Sequence, residues 1–404
     1  MKAYERLLNY VRIHTTSDED STSVPTTQRQ FDLAGVLVKE MKELGIKDAR
    51  MEDNCYVYGS IPATPGYEEC PGIGFIAHMD TSPDFCGEHV NPQIHENYDG
   101  KDLTIGSGRA LTLDKFPHLA GLAGRTLITT DGSTLLGADD KAGIAEIMTL
   151  AEELLNSDMP HGKVCIGFTP DEEVGSGAAE FDIPGFGAAY AYTVDGSSEA
   201  EIVYENFNAC GARFEINGFN IHPGESKNRM INASLVAMEI NSMLPAAETP
   251  AHTERYEGFF HLTDMKGNVE HAALSYIIRD HSAEHFACRE EMLRHIEKTL
   301  NEKYGEGTVT LTIQEQYRNM AEVIAPCMHL IDNAKSVIRG LGLEPDVSPI
   351  RGGTDGAQLS YRGLPCPNLG TGGYAFHGPY EHITAEGMDL VVKIMKGIVE
   401  KYAH

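Results

Sequence analysis

Two histidines and a set of acidic residues stand in this chain at spacings that suit a metal centre. They fall in five short stretches: His78-Met79-Asp80, Asp139-Asp140-Lys141, Asp171-Glu172-Glu173, Asp195-Gly196, and a glycine-rich loop around His377. Imidazole and carboxylate together hold borderline-soft divalent cations. A pair of such cations makes hydroxide from water near neutral pH and polarises a carbonyl at the same time. The chemistry expected is hydrolysis of an amide bond.

Spacing divides the roles. His78 and Asp80 are two apart at the end of an apolar run, so their side chains point the same way. Asp80 can then accept the second ring N–H of His78, which fixes the tautomer of a ligating histidine. Asp140 opens a helix, where its carboxylate can bridge two cations; Asp139 is expected to do no more than interact with the helix dipole. Glu172 and Glu173 are adjacent, so their side chains diverge. One can ligate while the other acts as general base on a water. Asp195 and His377 would complete the two coordination spheres. Each fragment alone is ordinary: an HxD is often structural, and a Glu-Glu pair is often a solvated face. Their common place at the edges of apolar segments, inside one α/β pattern, is what singles them out.

The elements that must position these residues read as follows. Residues near 3–14 and 28–44 are amphipathic, with Gly45 as the stop of the second helix. GIGFIAHMD is a short apolar run of buried-strand type. The segment 81–127 is rich in Gly, Pro and Asp and reads as long loops with short strands. Ala138 to Leu155 is a helix with Ile144, Ile147, Met148, Leu150, Ala151, Leu154 and Leu155 on its apolar face. KVCIGFT and AAYAYTV are further strands. This alternation predicts an α/β fold, with a mostly parallel mixed sheet flanked by helices. Ligands of such sheets collect at the carboxyl ends of the strands, where His78, Glu172, Glu173 and Asp195 stand. After about residue 206 the pattern becomes strand, helix, two strands, helix, strand, that of a small α+β domain. The expected layout is a catalytic domain of residues 1–206 and 319–404, interrupted by an inserted lid domain of residues 207–318.

Composition excludes some partners. Of 404 residues, 60 are Asp or Glu and 32 Lys or Arg, a formal net charge of -28. Nucleic acid and anionic membranes need positive charge, so neither is an expected partner. A substrate carrying a free ammonium group is favoured instead. The eight cysteines are scattered with no CxxC pair, which points to free thiols and a cytoplasmic setting. MKAYERLLNYVRIHTTSDED lacks the apolar core and cleavage site of a signal peptide. No stretch approaches the roughly 18 apolar residues of a membrane span.

The strings GFIAHMDTSPD, LLGADDKAGIA, FTPDEEVGSGA, TVDG and RGGTDGA resemble the motifs of the co-catalytic zinc family that includes aminoacylase, glutamate carboxypeptidase and succinyl-diaminopimelate desuccinylase. With NGFNIHPGESKNRMINA and NLGTGGYAFHGPYEH they are similar, over essentially the whole chain, to that family's aminotripeptidases. The resemblance implies two Zn2+ per subunit, replaceable by cobalt or manganese. It implies His78, Asp140 and Asp195 on one zinc and Asp140, Glu173 and His377 on the other. It further implies that Asp80 orients His78 and that Glu172 is the general base. His222 in NIHPG would reach the partner subunit's site and stabilise the oxyanion. Arg279 and Arg351 are candidates to bind a substrate carboxylate, which a guanidinium fork fits. A homodimer through the 207–318 domain and release of the N-terminal residue from tripeptides are implied as well. N-acyl amino acid deacylase, dipeptidase and carboxypeptidase are alternatives on the same scaffold. A non-catalytic binding module that keeps the fold is a further one.

Overall fold

The strand Ile73–His78 lies in the middle of a seven-stranded mixed sheet in the computed structural model, which describes residues 1–403. Every residue of this strand is buried, as its unbroken apolar run requires of a strand paired on both sides. It pairs in parallel with Val164–Thr169 and with Tyr190–Gly196. Tyr190–Gly196 pairs in parallel with Asn368–Gly370. Antiparallel strands finish both edges, Arg50–Met51 with Val57–Ile61 on one and Ile202–Val203 on the other. The α/β fold with a mixed sheet flanked by helices is therefore what the chain adopts, but the three central pairings are parallel and the other three antiparallel, so the sheet is not mostly parallel as expected. Register matters for the site: His78 pairs with Thr169, and Ile76 with Thr193. The three central strands thus end together, and the residues that follow them meet.

The helix Ala138–Leu155 is buried along most of its length. It packs on the central strand and between the helices Ala3–Tyr10 and Ala385–Lys401. At Gly143 the approach is so close that a Cβ would lie 2.0 Å from the Val194 carbonyl oxygen and 2.5 Å from Asp140 Oδ1. Regular helix was expected from Ala138. Instead Asp139 (φ -84°, ψ 104°) and Asp140 (φ -120°, ψ 32°) depart from helical geometry, so their side chains leave the helix in directions its periodicity does not give.

A second sheet in the same unit orders Gly373–Tyr374, His382–Thr384, Leu127–Thr129 and Gln93–His95, all antiparallel. Tyr374 pairs with His382, so the loop between them, which carries His377, is tied at both ends.

The chain divides into two compact units. The first comprises Met1–Tyr204, Glu322–Ser348 and the residues from Thr354 on; the second comprises Glu205–Ala321 and Pro349–Gly353. The second unit is a four-stranded antiparallel sheet in the order Phe259–Gly267, His271–Asp280, Asn208–Asn217, Val309–Tyr317. Burial alternates along its two central strands. The buried face packs Phe214, Leu274 and Tyr276 against the helices Ala233–Met243 and Ala283–Tyr304. Pro349–Gly353 joins this unit through Ile350 N–H, which donates to the Glu205 carbonyl at 3.0 Å. No helix among the described residues is long and apolar enough to cross a membrane.

Candidate metal centre

His78 is the last residue of the central strand and is buried. Its Nδ1 is 3.1 Å from the Asp80 carbonyl oxygen and 3.3 Å from Asp80 Oδ1. That places the ring proton on Nδ1 and turns Nε2 towards Asp139 Oδ1 at 3.0 Å and Asp195 Oδ1 at 3.4 Å. Asp80 also accepts the backbone N–H of Glu172 at 3.0 Å and of Glu173 at 3.2 Å. One carboxylate therefore orients the histidine and anchors the short turn Glu172–Val174. The turn is pinned from behind by Asp171, whose carboxylate accepts from Thr26 N, Thr26 Oγ1 and Gln30 Nε2 at 2.5–3.0 Å.

The second imidazole comes from the loop of the small sheet. His377 Nε2 is 3.0 Å from Glu173 Oε2 and 3.2 Å from Asp139 Oδ2. Its Nδ1 is 3.3 Å from Asp84 Oδ2, on the solvent side, where Asp84 is 70% exposed. Asp139 thus spans the two imidazoles, one oxygen to each. Asp140 spends its oxygens on backbone: Oδ2 accepts from His78 N at 3.1 Å and Oδ1 from Gly143 N at 3.2 Å. Asp140 was the carboxylate expected between the two imidazoles; the side chain that lies within reach of both is that of Asp139, which the non-helical backbone turns into the gap. Ligand atoms of His78, Asp140 and Asp195 still lie within 4.8 Å of one another, as do those of His78, Asp139 and Glu173.

The electrostatics follow from crowding acids in a buried place. Burial pushes Glu172 well above the usual carboxylate range, and Asp195 adds to it. Burial and then Asp139 bring Glu173 to about 7; burial brings Asp195 to about 6. Asp355, buried beneath the site with Thr169 Oγ1 donating to it at 2.8 Å, is also brought to about 7 by burial. Hydrogen bonds to Asp139 and Glu173 raise His377 to about 11. For His78, burial opposes the charge, yet Asp195, Asp139 and Asp80 outweigh it and hold the ring well above its ordinary value. Glu173 Oε1 is buried with no hydrogen-bond partner. Two imidazole nitrogens and three carboxylates converge on a cluster short of positive charge. That donor set fits a pair of divalent cations.

Three expected residues, His222, Arg279 and Arg351, belong to the second unit. His222 is exposed, and its Nδ1 accepts the Gly224 N–H at 3.2 Å, so the ring proton sits on Nε2. Arg279 donates from Nη1 to the Ile278 carbonyl at 3.0 Å and lies over the Tyr317 ring. Arg351 donates to the Arg255 and Glu257 carbonyls at 2.8 and 2.9 Å and to Thr253 Oγ1 at 2.9 Å. Its guanidinium rests against Phe207 and Phe259. Two of its nitrogens are therefore engaged within its own unit. Sequence reasoning passed over Glu381, a buried carboxylate that accepts three backbone N–H groups beside Asp139; no periodicity distinguishes it from an ordinary loop acid.

Residues 131–401 match Peptidase family M20/M25/M40. Peptidase T of Clostridium perfringens is 52% identical over 403 residues, which cover 100% of this chain and 99% of the relative. Among solved structures, the aminopeptidase PepT of Bacillus cereus superposes with a TM-score of 0.79 at 22% identity, covering 99% of both chains. A tripeptidase of Staphylococcus aureus superposes with a TM-score of 0.77 at 20% identity, covering 100% of this chain and 98% of the other.

Proposed function

This chain belongs to Peptidase family M20/M25/M40, and on that premise we propose that it is a two-zinc aminopeptidase that releases the N-terminal residue from tripeptides. One observation carries the reading: the Asp139 carboxylate lies between two imidazoles, 3.0 Å from His78 and 3.2 Å from His377. His78, Asp139 and Asp195 would hold one cation, and His377, Asp139 and Glu173 the other. When bound, the cations supply Lewis acidity to a water and to the scissile carbonyl.

The chain's own residues do the rest. Glu172 contacts neither imidazole, which leaves its carboxylate to take the proton from the attacking water and return it to the leaving amine. Without cations its carboxyl is raised by burial and then by Asp195; bound cations would favour the ionised form that a general base needs. Asp80 keeps His78 in the tautomer that presents Nε2. His222, with its proton on Nε2, donates to the oxyanion from the partner subunit. Arg279 and the remaining donor of Arg351 are proposed for the substrate carboxylate.

Support for an amino-terminal rather than a carboxy-terminal specificity comes from charge. With Asp80, Asp140 and Glu172 beside the three converging carboxylates of Asp139, Glu173 and Asp195, six acids stand against the four positive charges of two dications, so an ammonium is drawn to the cluster and a carboxylate repelled. Support for tripeptides comes from the motif resemblance and from the likeness to the two aminopeptidase and tripeptidase structures. A cytoplasmic homodimer through the second unit is also proposed. Leu235 and Met238, 61% and 60% exposed on one face of the helix Ala233–Met243, are apolar surface that a second copy would cover, with Phe219 at 53%.

The test is metal analysis combined with a peptide panel. Free tripeptides should be cleaved and N-acetylated ones left intact. Chelation should abolish turnover, and zinc, cobalt or manganese should restore it. Full hydrolysis by protein shown to be metal-free, or equal cleavage of N-acetylated peptides, would overturn the proposal.

A further inference from the structure

We propose that Glu381 is the positioning residue that sets Asp139 between the two histidines. This rests on the reading of that site as a metal centre. Glu381 is buried, and its two oxygens serve one backbone turn. Oε2 accepts from Leu136 N at 2.7 Å and Gly137 N at 2.8 Å; Oε1 accepts from Asp139 N at 2.9 Å. These N–H groups lie at the start of a helix, where no preceding turn of helix can accept them. The turn is also the place where the backbone leaves helical geometry, with Gly137 at φ +76° followed by the non-helical Asp139 and Asp140. Glu381 therefore takes the part of the missing carbonyls and holds the main chain of the very residue whose side chain spans the imidazoles.

Its place in sequence adds a second link. Glu381 lies four residues after His377, on the same short loop, next to His382, which pairs with Tyr374. One segment thus supplies an imidazole to the centre and, through Glu381, fixes the turn that supplies the shared carboxylate. The two ligands cannot drift apart while the three hydrogen bonds stand. A glutamine in this place would keep one acceptor oxygen and turn an NH2 group towards backbone N–H donors. Glu381 contacts neither histidine, so it acts only through Asp139.

The experiment compares zinc binding to the metal-free full chain of wild type and Glu381→Gln by competition with a chromogenic chelator. The melting temperature of the zinc-free proteins and kcat at saturating zinc are measured alongside. The expected result is zinc affinity lower by about 10–100-fold, a zinc-free protein that still unfolds in one cooperative transition a few degrees below wild type, and kcat largely recovered in excess zinc. An unchanged zinc isotherm in the folded variant would overturn the proposal, as would a kcat loss that excess zinc does not repair. A second variant acts on the same turn from the other side: Gly137→Ala opposes its left-handed backbone. If Glu381 works through this turn, the double variant binds zinc no more weakly than the weaker single one; fully additive losses count against it. Should Glu381→Gln fail to fold, Glu381→Asp, which keeps the charge, takes its place, and failure of both to fold overturns the positioning role. Absence of zinc binding by the wild type would instead overturn the metal reading itself, and this inference with it.

Discussion

Asp139 and Asp140 are neighbours of one type, yet the structure gives them different work, and a substitution at each should separate the two. Asp139→Asn removes the charge shared by both imidazoles, so zinc stoichiometry and turnover should fall together. Asp140→Asn disturbs only the backbone contacts to His78 and Gly143 and should leave most of the zinc bound. Metal content by atomic emission checks both; the reverse ranking would return the bridge to Asp140. Glu172→Gln should bind zinc as the wild type does and lose about 10²–10⁴-fold in kcat. The candidate ligands were legible as a set, because imidazoles and carboxylates at the edges of apolar segments are few. Which of two adjacent aspartates faces the gap was not legible, because a local departure from helical dihedrals decides it.

At the scale of elements, the centre is a consequence of strand register. His78, the Glu172–Glu173 turn and Asp195 meet because three parallel strands end level with one another. The helix Ala138–Leu155 brings Asp139 to the same place only by close approach at Gly143. Gly143→Ala puts a methyl group against the Val194 carbonyl and the Asp140 carboxylate. The helix must shift, at a cost of about 1–3 kcal/mol, so the melting temperature should fall by several degrees and zinc should bind more weakly. A melting curve and zinc isotherm like those of the wild type would mean the helix is not seated as described. The central strands and this helix were readable from apolar runs and period. The small sheet that presents His377 was not, since strands of two or three residues are too short to show a period.

At the scale of the whole molecule, the clustered acids link stability to pH. Without a cation, Glu173 and Glu381 stand at about 7 and Asp195 at about 6, above their unfolded values, each first through burial. The stability such groups contribute is fully present below the unfolded carboxylate range and is lost as pH rises through about 6–7. His377, raised to about 11 by Asp139 and Glu173, adds a loss of the same sign at higher pH. Chelated protein should therefore melt at a lower temperature at about pH 8 than at about pH 5, and the gain on adding zinc should grow with pH. Calorimetry across that range checks the sign; a chelated protein that gains stability with pH would contradict it. The proposed dimer has its own test. Mixing His222→Ala with Glu172→Gln subunits should restore about a quarter of wild-type activity if His222 acts on its partner, because about half the dimers are mixed and each has one intact site. No recovery after proven subunit exchange would place His222 in its own subunit or outside the chemistry. The acidic balance and the interruption of one pattern by another were plain in the sequence. That Pro349–Gly353 returns to the second unit was not, because it rests on individual hydrogen bonds made by Ile350 and Arg351.

The order in which the ribosome makes the first unit's pieces bears on when the centre can exist. His78, Asp139, the two glutamates and Asp195 emerge before the second unit; the strand Asn368–Gly370, His377 and Glu381 emerge after it. A chain made only as far as the second unit therefore carries one of its two imidazoles, an unpaired edge on Tyr190–Gly196, and an Asp139 turn with no carboxylate to hold it. The centre closes only once His377 and Glu381 have followed the second unit out, so birth order itself keeps a peptide-bond hydrolase idle while that unit is being made.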